Sequence, residues 1–230
     1  MRRDITAVAR LLRRHFGRLR FKREKDAVGL LVKTILSQNT SDITSFRAFD
    51  NLKKRFRSWE SLRKADVSAI RREIRIAGLS NIKAPRIKYA LSEITRRRGS
   101  LDLDFLKRLD TQAGYGFLRS IKGVGPKTSA IVLLFGFDKP VMPVDTHIFR
   151  VTKRLGLIGG KMTPEKAQKY LTGAAPKDAI KEFHVHLIMH GRQVCAARDP
   201  KCPVCDLKSL CKYYGEKHGR QSVKNREERV

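Results

Sequence analysis

Apolar residues recur at helical spacing through most of the chain. Val28, Leu31, Val32, Ile35 and Leu36 fall at i, i+3, i+4, i+7 and i+8, which predicts a helix buried along one side. The polar run Ser37-Gln38-Asn39-Thr40-Ser41-Asp42 ends it and offers caps to a second helix, whose buried side Phe46, Phe49, Leu52 and Phe56 should mark. Val67, Ile70 and Ile74 predict a third, closing at Ala77-Gly78-Leu79-Ser80-Asn81, where Gly78 suits a C-terminal cap. Ile87, Ala90, Leu91 and Ile94 define a fourth that stops near Gly99 with Arg96-Arg97-Arg98 solvated, and Phe105, Leu106 and Leu109 a short one. Upstream, residues 5–21 read as an amphipathic helix with a basic outer face, carrying Ile5, Val8, Leu12 and Phe16 on its apolar side. From Ala130 to Phe137 every position but Gly136 is apolar, as expected of a fully buried helix at the centre of a core.

Farther on, Ile148, Val151 and Leu155 continue the helical period to an expected break at Gly159-Gly160, and Thr163-Pro164-Glu165 is a helix start with an N-cap and proline in the first turn. A further helix near residues 177–191 holds His184, His186 and His190. His186 and His190 share a helical face that could suit a metal, but no carboxylate follows in a metal-binding pattern, so packed or exposed histidines are expected. No stretch alternates as a strand would, and no internal repeat is found. The pattern predicts an all-α, two-part helical architecture: a continuous block over 24–139, a second part combining 1–23 with 140–215, and a charged tail from about Glu216 expected to be disordered.

Composition narrows the functions available. At 41% hydrophobic residues the 230-residue chain can bury a substantial core, while 51 Lys and Arg against 22 Asp and Glu give a net charge of +29. Such a field favours a polyanionic partner, nucleic acid above all, with a merely solubilising or membrane-surface role as the alternative. No apolar run reaches the roughly 18–20 residues a spanning helix needs, and no signal-like stretch follows Met1, so an intracellular protein with no membrane partner is expected.

Two stretches carry chemistry. In Ile121-Lys122-Gly123-Val124-Gly125-Pro126-Lys127-Thr128, two glycines flank one apolar residue between two helices. Glycines adopt backbone angles other residues resist and let amides approach an anion at the start of the second helix, so a phosphate would sit well there. A ligand-free helix connection would look the same from this turn alone. Cys195, Cys202, Cys205 and Cys211 make C-x6-C-x2-C-x5-C, too clustered for a disulfide framework and able to enclose one metal centre; the spacing by itself leaves zinc and iron–sulfur open.

Taken with Val144-Asp145-Thr146-His147-Ile148-Phe149-Arg150, these motifs resemble the helix-hairpin-helix DNA glycosylases, and within them the endonuclease III branch. The resemblance runs from about residue 25 to 213 with three motifs in the family's order. It implies a base-excision repair enzyme that acts on double-stranded DNA containing a damaged or abasic nucleotide, as a monomer. It implies a 4Fe–4S cluster on the four cysteines, with a structural role. Lys127 is implied as the nucleophile at C1′ of the deoxyribose, giving a Schiff base and β-elimination, and Asp145 as the carboxylate that stabilises charge on the sugar, in addition to an N-cap role. A lysine at its ordinary pKa near 10.4 is neutral only about one time in 2,500 at pH 7, so the reaction must also take a proton from it. DNA contacts are implied for Gln38, Asn39, Leu79, Lys122, Gly123, Val124, Gly125, Thr128 and His147, with Leu79 as a wedge in the base stack. Asn39 stands where endonuclease III members carry glutamine, which keeps mismatched thymine or uracil, or a modified cytosine, as alternatives to an oxidised pyrimidine. A non-catalytic helix-hairpin-helix DNA-binding protein is the remaining alternative.

Overall fold

The computed structural model describes residues 4–217. Within them run the α-helices α1 (Ile5–Phe16), α2 (Ala27–Leu36), α3 (Asp42–Arg55), α4 (Trp59–Lys64), α5 (Val67–Glu73), α6 (Ser80–Arg98), α7 (Thr111–Arg119), α8 (Pro126–Ile131), α9 (Thr146–Leu155), α10 (Pro164–Ala174) and α11 (Ile180–Gln193), with a further helical stretch from 212. No strand occurs among the described residues, so the fold is all-α. The chain divides into two compact units: Lys22–Lys139 forms one, and the N-terminal segment through Phe21 joins everything from Pro140 onward to form the other.

In the Lys22–Lys139 unit, α2 is apolar nearly all round and buries Leu31, Val32, Ile35 and Leu36 completely. Its start is fixed by Asp26, whose Oδ1 accepts the Gly29 N–H at 2.8 Å and the Trp59 indole N–H at 2.9 Å. Around α2 pack α3, α6 and α8. The buried side of α3 is Ser45, Ala48 and Leu52, with Phe56 just beyond its end, and not the aromatic stripe expected from sequence. Small residues let α3 approach α2 closely, which leaves Phe49 at the margin and Phe46 47% exposed beneath the Lys33 ammonium, 4.3 Å from its ring centroid. Phe105 and Leu106 lie in a 3-10 turn, Asp104–Lys107, and not in an α-helix. The apolar segment after α8 is buried as expected, but Val132–Gly136 widens into a π-helical turn whose Phe135 carbonyl takes the Glu24 N–H at 2.9 Å.

In the other unit, α9 and α1 both pack on α11. Helix α1 stops at Phe16 because Gly17 turns to φ +78, short of the expected residue 21. Helix α9 ends at Leu155 on Gly156, which adopts φ +78 and returns its N–H to the last turn; Gly159-Gly160, the expected break, lie beyond a helix already closed. Thr163 caps α10 as its sequence predicts, and the three histidines of α11 are packed inside. His184 pairs with Pro143 O at 3.1 Å and His186 with Gly17 O at 3.0 Å, so both are packed side chains tied to the backbone. Of the expected disordered tail, Glu216 and Lys217 are helical, in a stretch that begins at 212, and the remainder lies outside the described residues.

Candidate functional site

The hairpin between α7 and α8 is shaped by one residue. Gly123 has φ +89, and a Cβ there would stand 2.8 Å from Arg86 Cγ, so only glycine lets the turn lie on that side chain. Ile121 and Val124 are buried beneath it, and Arg119 Nη1 donates to Val124 O at 3.0 Å. Pro126 opens α8 at the position where its missing N–H is harmless, and Lys127 follows, half-buried, in the first turn. An open depression of about 800 Å³, including solvent, is lined by Gln38, Arg86, Arg119, Lys122, Gly123 and Gly125. Three cations around a glycine turn at a helix start make a surface suited to phosphate.

Gln38 does not project freely from its loop. Its Nε2 donates to Thr128 Oγ1 at 3.3 Å, and Arg86 Nη1 donates to its Oε1 at 3.1 Å, tying the α2–α3 turn to the hairpin. The next residue, Asn39, is exposed with φ +51, and Leu79 has the same φ and is 50% exposed. Left-handed backbone at a leucine costs about 1–2 kcal/mol, so Leu79 is held outward against its own preference. Arg86, Arg119 and the buried Lys83 were not evident from motifs. Lys83 had a signal: it falls four, seven and eight residues before Ile87, Ala90 and Leu91, on the apolar face of α6. Burial pushes its pKa below the ordinary lysine value.

In the second unit, Asp145 is the N-cap of α9, its Oδ1 accepting the Ile148 N–H at 2.8 Å, and it is half-buried. His147, in the first turn, lies 3.2 Å from Arg150 Nη2 through its Nδ1. Arg150 also donates to Gly191 O at 2.7 Å and Cys195 O at 3.1 Å, which anchors α9 to the start of the cysteine segment. Lys127 and Asp145 therefore belong to different units.

All four cysteines are free thiols and line one pocket of about 370 Å³, open solvent included, with Arg154, His190, Tyr213 and Tyr214 around them. Among the described residues no three Cys, His, Asp or Glu side chains close on one point as ligands of a single ion would. Four thiols lining one pocket supply the donor set of a four-cysteine metal centre. The surroundings fit as well. Arg154 Nη1 donates toward Cys195 Sγ at 3.4 Å, and backbone amides at Leu207, Tyr213 and Tyr214 bond Cys205 and Cys211. Burial first, then the proximity of the other thiols, pushes Cys205 up to about 11 and raises Cys211. A bound cationic core would reverse that shift.

Known proteins share this sequence and fold. Residues 32–177 match the model of the HhH-GPD superfamily base excision DNA repair protein. Endonuclease III of Sulfolobus acidocaldarius is 35% identical over 192 residues, covering 83% of each chain, and endonuclease III of Thermotoga maritima is 32% identical over 207 residues, covering 90% of this chain and 92% of its own. A solved structure of a trapped endonuclease III–DNA covalent intermediate superposes with a TM-score of 0.79 at 25% identity, covering 93% of this chain and 97% of the other. With the family model spanning more than half its length and such relatives matched nearly end to end, this chain belongs to the HhH-GPD superfamily of base excision DNA repair proteins.

Proposed function

We propose that the protein is a bifunctional DNA glycosylase and abasic-site lyase acting in base excision repair on duplex DNA with an oxidised pyrimidine. Membership of the superfamily and relatives named endonuclease III support the reaction class. The observation that carries the lyase assignment is the amine of Lys127, placed in the first turn after a glycine turn lined with cations.

The chemistry follows from what a base in a duplex demands. The nucleotide is extruded at a cost of a few kcal/mol, with Asn39 and Leu79 filling the vacated space. Amides of Gly123 and Gly125 hold a phosphate together with Lys122, while Val124, buried and with its N–H given to Ile121 O at 3.0 Å, shapes the turn from beneath. Gln38 and His147 contribute further contacts to the strand, and the buried Thr128 holds Gln38 in place. Positive charge builds on the sugar as the bond from C1′ to the base breaks, and the Asp145 carboxylate stabilises it. The neutral Lys127 Nζ gives its lone pair to C1′, the base departs with the bonding electrons, and the ring opens to a Schiff base. Loss of a C2′ proton then expels the 3′ phosphate, nicking the strand. The ammonium first gives its proton to solvent, which leaves Asp145 ionised for that charge, and the proton on the newly bonded nitrogen passes to the ring oxygen as the ring opens. Cys195, Cys202, Cys205 and Cys211 would hold a 4Fe–4S cluster, which supplies a rigid staple for a loop rich in Lys and Arg. No described helix is long and apolar enough to cross a membrane, and we place the protein inside the cell, as a monomer, where its DNA is.

Borohydride reduction with a lesion-bearing duplex tests the assignment. A covalent adduct is expected, and Lys127→Ala should abolish it; an adduct that survives, or none from the parent protein, overturns the lyase reading. A second substrate reading, mismatched thymine or uracil or a modified cytosine, is favoured by Asn39 in the exposed turn. A panel of defined lesions and opposite bases decides between them: highest turnover on a mismatch displaces the oxidised pyrimidine.

A further inference from the structure

Lys83 is 1% exposed, and its partners are all neutral oxygens. Nζ donates to Leu36 O at 2.7 Å, to Ala77 O at 2.9 Å and to Thr40 Oγ1, so its three protons meet three acceptors. Leu36 is the last residue of α2, and Ala77 closes the 3-10 turn Arg75–Ala77. Thr40 Oγ1 in turn lies 2.6 Å from Ala77 O and 3.1 Å from Gln38 O. One ammonium thus clamps both sides of the turn that presents Asn39 and the anchor of the turn that presents Leu79. Only Ser37 to Asn39 lie between the first pair of anchors, and only Gly78 separates Ala77 from Leu79. Filling this space needs no charge: methionine has a similar length and would avoid the desolvation of a buried ammonium. The polar clamp answers a different need, since two non-glycine residues at φ +51 persist only where their surroundings over-determine them.

We propose that Lys83 is a positioning residue that locks the Asn39 and Leu79 turns to each other, so that both side chains enter the duplex as one rigid pair. This rests on the reading of Asn39 and Leu79 as the groups that fill the vacated stack. A residue that only supports the fold would, when replaced, weaken action on every duplex alike. A residue that holds the prongs matters most where the stack resists opening, and least where mismatches have already weakened it.

The test is single-turnover excision by Lys83→Met and by the milder Thr40→Val, on a fully paired duplex and on one whose pairs flanking the lesion are mismatched. A 2-aminopurine beside the lesion reports unstacking in both. Lys83→Met should lose about tenfold or more on the paired duplex, equivalent to ~1.4 kcal/mol of barrier, and less than about threefold on the weakened one. The unstacking signal should slow by the same factor, and Thr40→Val should show the same selectivity at smaller size, so the result stands even if Lys83→Met folds poorly. Equal losses on both duplexes, or no loss in either variant, overturn the proposal. Leu79→Ala run in parallel separates the two layers. If it shows the paired-duplex defect while Lys83→Met and Thr40→Val do not, the clamp alone fails; if Leu79→Ala shows none, the reading of the prongs fails.

Discussion

At position 145 one carboxylate caps a helix and is offered as the partner of the reacting sugar, and substitution can separate the two tasks. Asparagine caps a helix about as well as aspartate, because its side-chain oxygen accepts the same backbone N–H, whereas alanine offers nothing and costs about 1 kcal/mol. Asp145→Asn should therefore keep the bond now made to Ile148 N–H and the thermal stability of the parent. It should still lose the charge that stabilises the sugar, and with it at least about a hundredfold in excision rate, the lower range for one acid–base group. Asp145→Ala should lose both. Melting curves and single-turnover excision read the two effects apart; an asparagine variant that excises at the parent rate would leave Asp145 as a cap alone. The same separation explains why the residue could be picked out of the sequence: Val144-Asp145-Thr146 reads as a helix start from local rules, but only the family motif gave it chemistry. Lys83 is the converse case. Its place on an apolar face was present in the spacing, yet which carbonyls it would reach depends on α2 and the Arg75–Ala77 turn meeting α6, which no local pattern states.

Elements were legible where a backbone rule acts over a few residues. Gly99, Thr163 and Pro164 start or stop helices through φ preference and capping, and those bonds form in the structure; the stop at Gly17 follows the same rule but was passed over. What was lost depends on neighbours far along the chain. The face of α3 was misread because aromatic size suggested burial, whereas close approach to α2 selects Ser45 and Ala48. The π-helical turn over Val132–Gly136 keeps the burial that the apolar run predicts and changes only the winding. The cysteine segment, the least regular of the elements, has only two 3-10 turns, Cys202–Val204 and Lys208–Leu210, to order it. Arg150, Arg154 and the buried Leu207 fasten it to the fold, and the proposed cluster on the four thiols would add a staple. The purified protein should be brown, with a broad absorption near about 400 nm and iron and sulfide in equal amounts, and Cys202→Ser should lose the colour and become cleavable within residues 195–211 at lower protease concentration. A colourless protein with one zinc per chain would replace the cluster, and a cleavage pattern unchanged by Cys202→Ser would remove its structural role.

At the scale of the whole molecule the excess of cations is larger than one active site uses. It does not reside at the C-terminus: residues 218–230 hold four of the 51 cations and two of the 22 anions, so a chain ending at Lys217 keeps a charge of +27. Nor is it cancelled within the fold. Arg96 and Arg97 share one carboxylate, Glu93, which they hold down to about 2, Arg96 first. The hairpin depression alone gathers Arg86, Arg119 and Lys122. Cations spread in this way bind a polyanion by displacing its counterions, and each phosphate neutralised adds about −0.9 to the slope of log K against log salt. If the three hairpin cations and three others engage the backbone, the slope should be about −5, and affinity for an undamaged duplex should fall about a thousandfold from 50 to 200 mM salt. Arg86→Ala, which removes one cation at the hairpin, should flatten the slope by about one, and truncation after Lys217 should leave it nearly unchanged. Fluorescence anisotropy over a salt series measures all three. A flat response would mean that the charge keeps the protein in solution and the duplex is held by the prongs; a slope carried by residues 218–230 would move the main contact from the helical surface to the C-terminus.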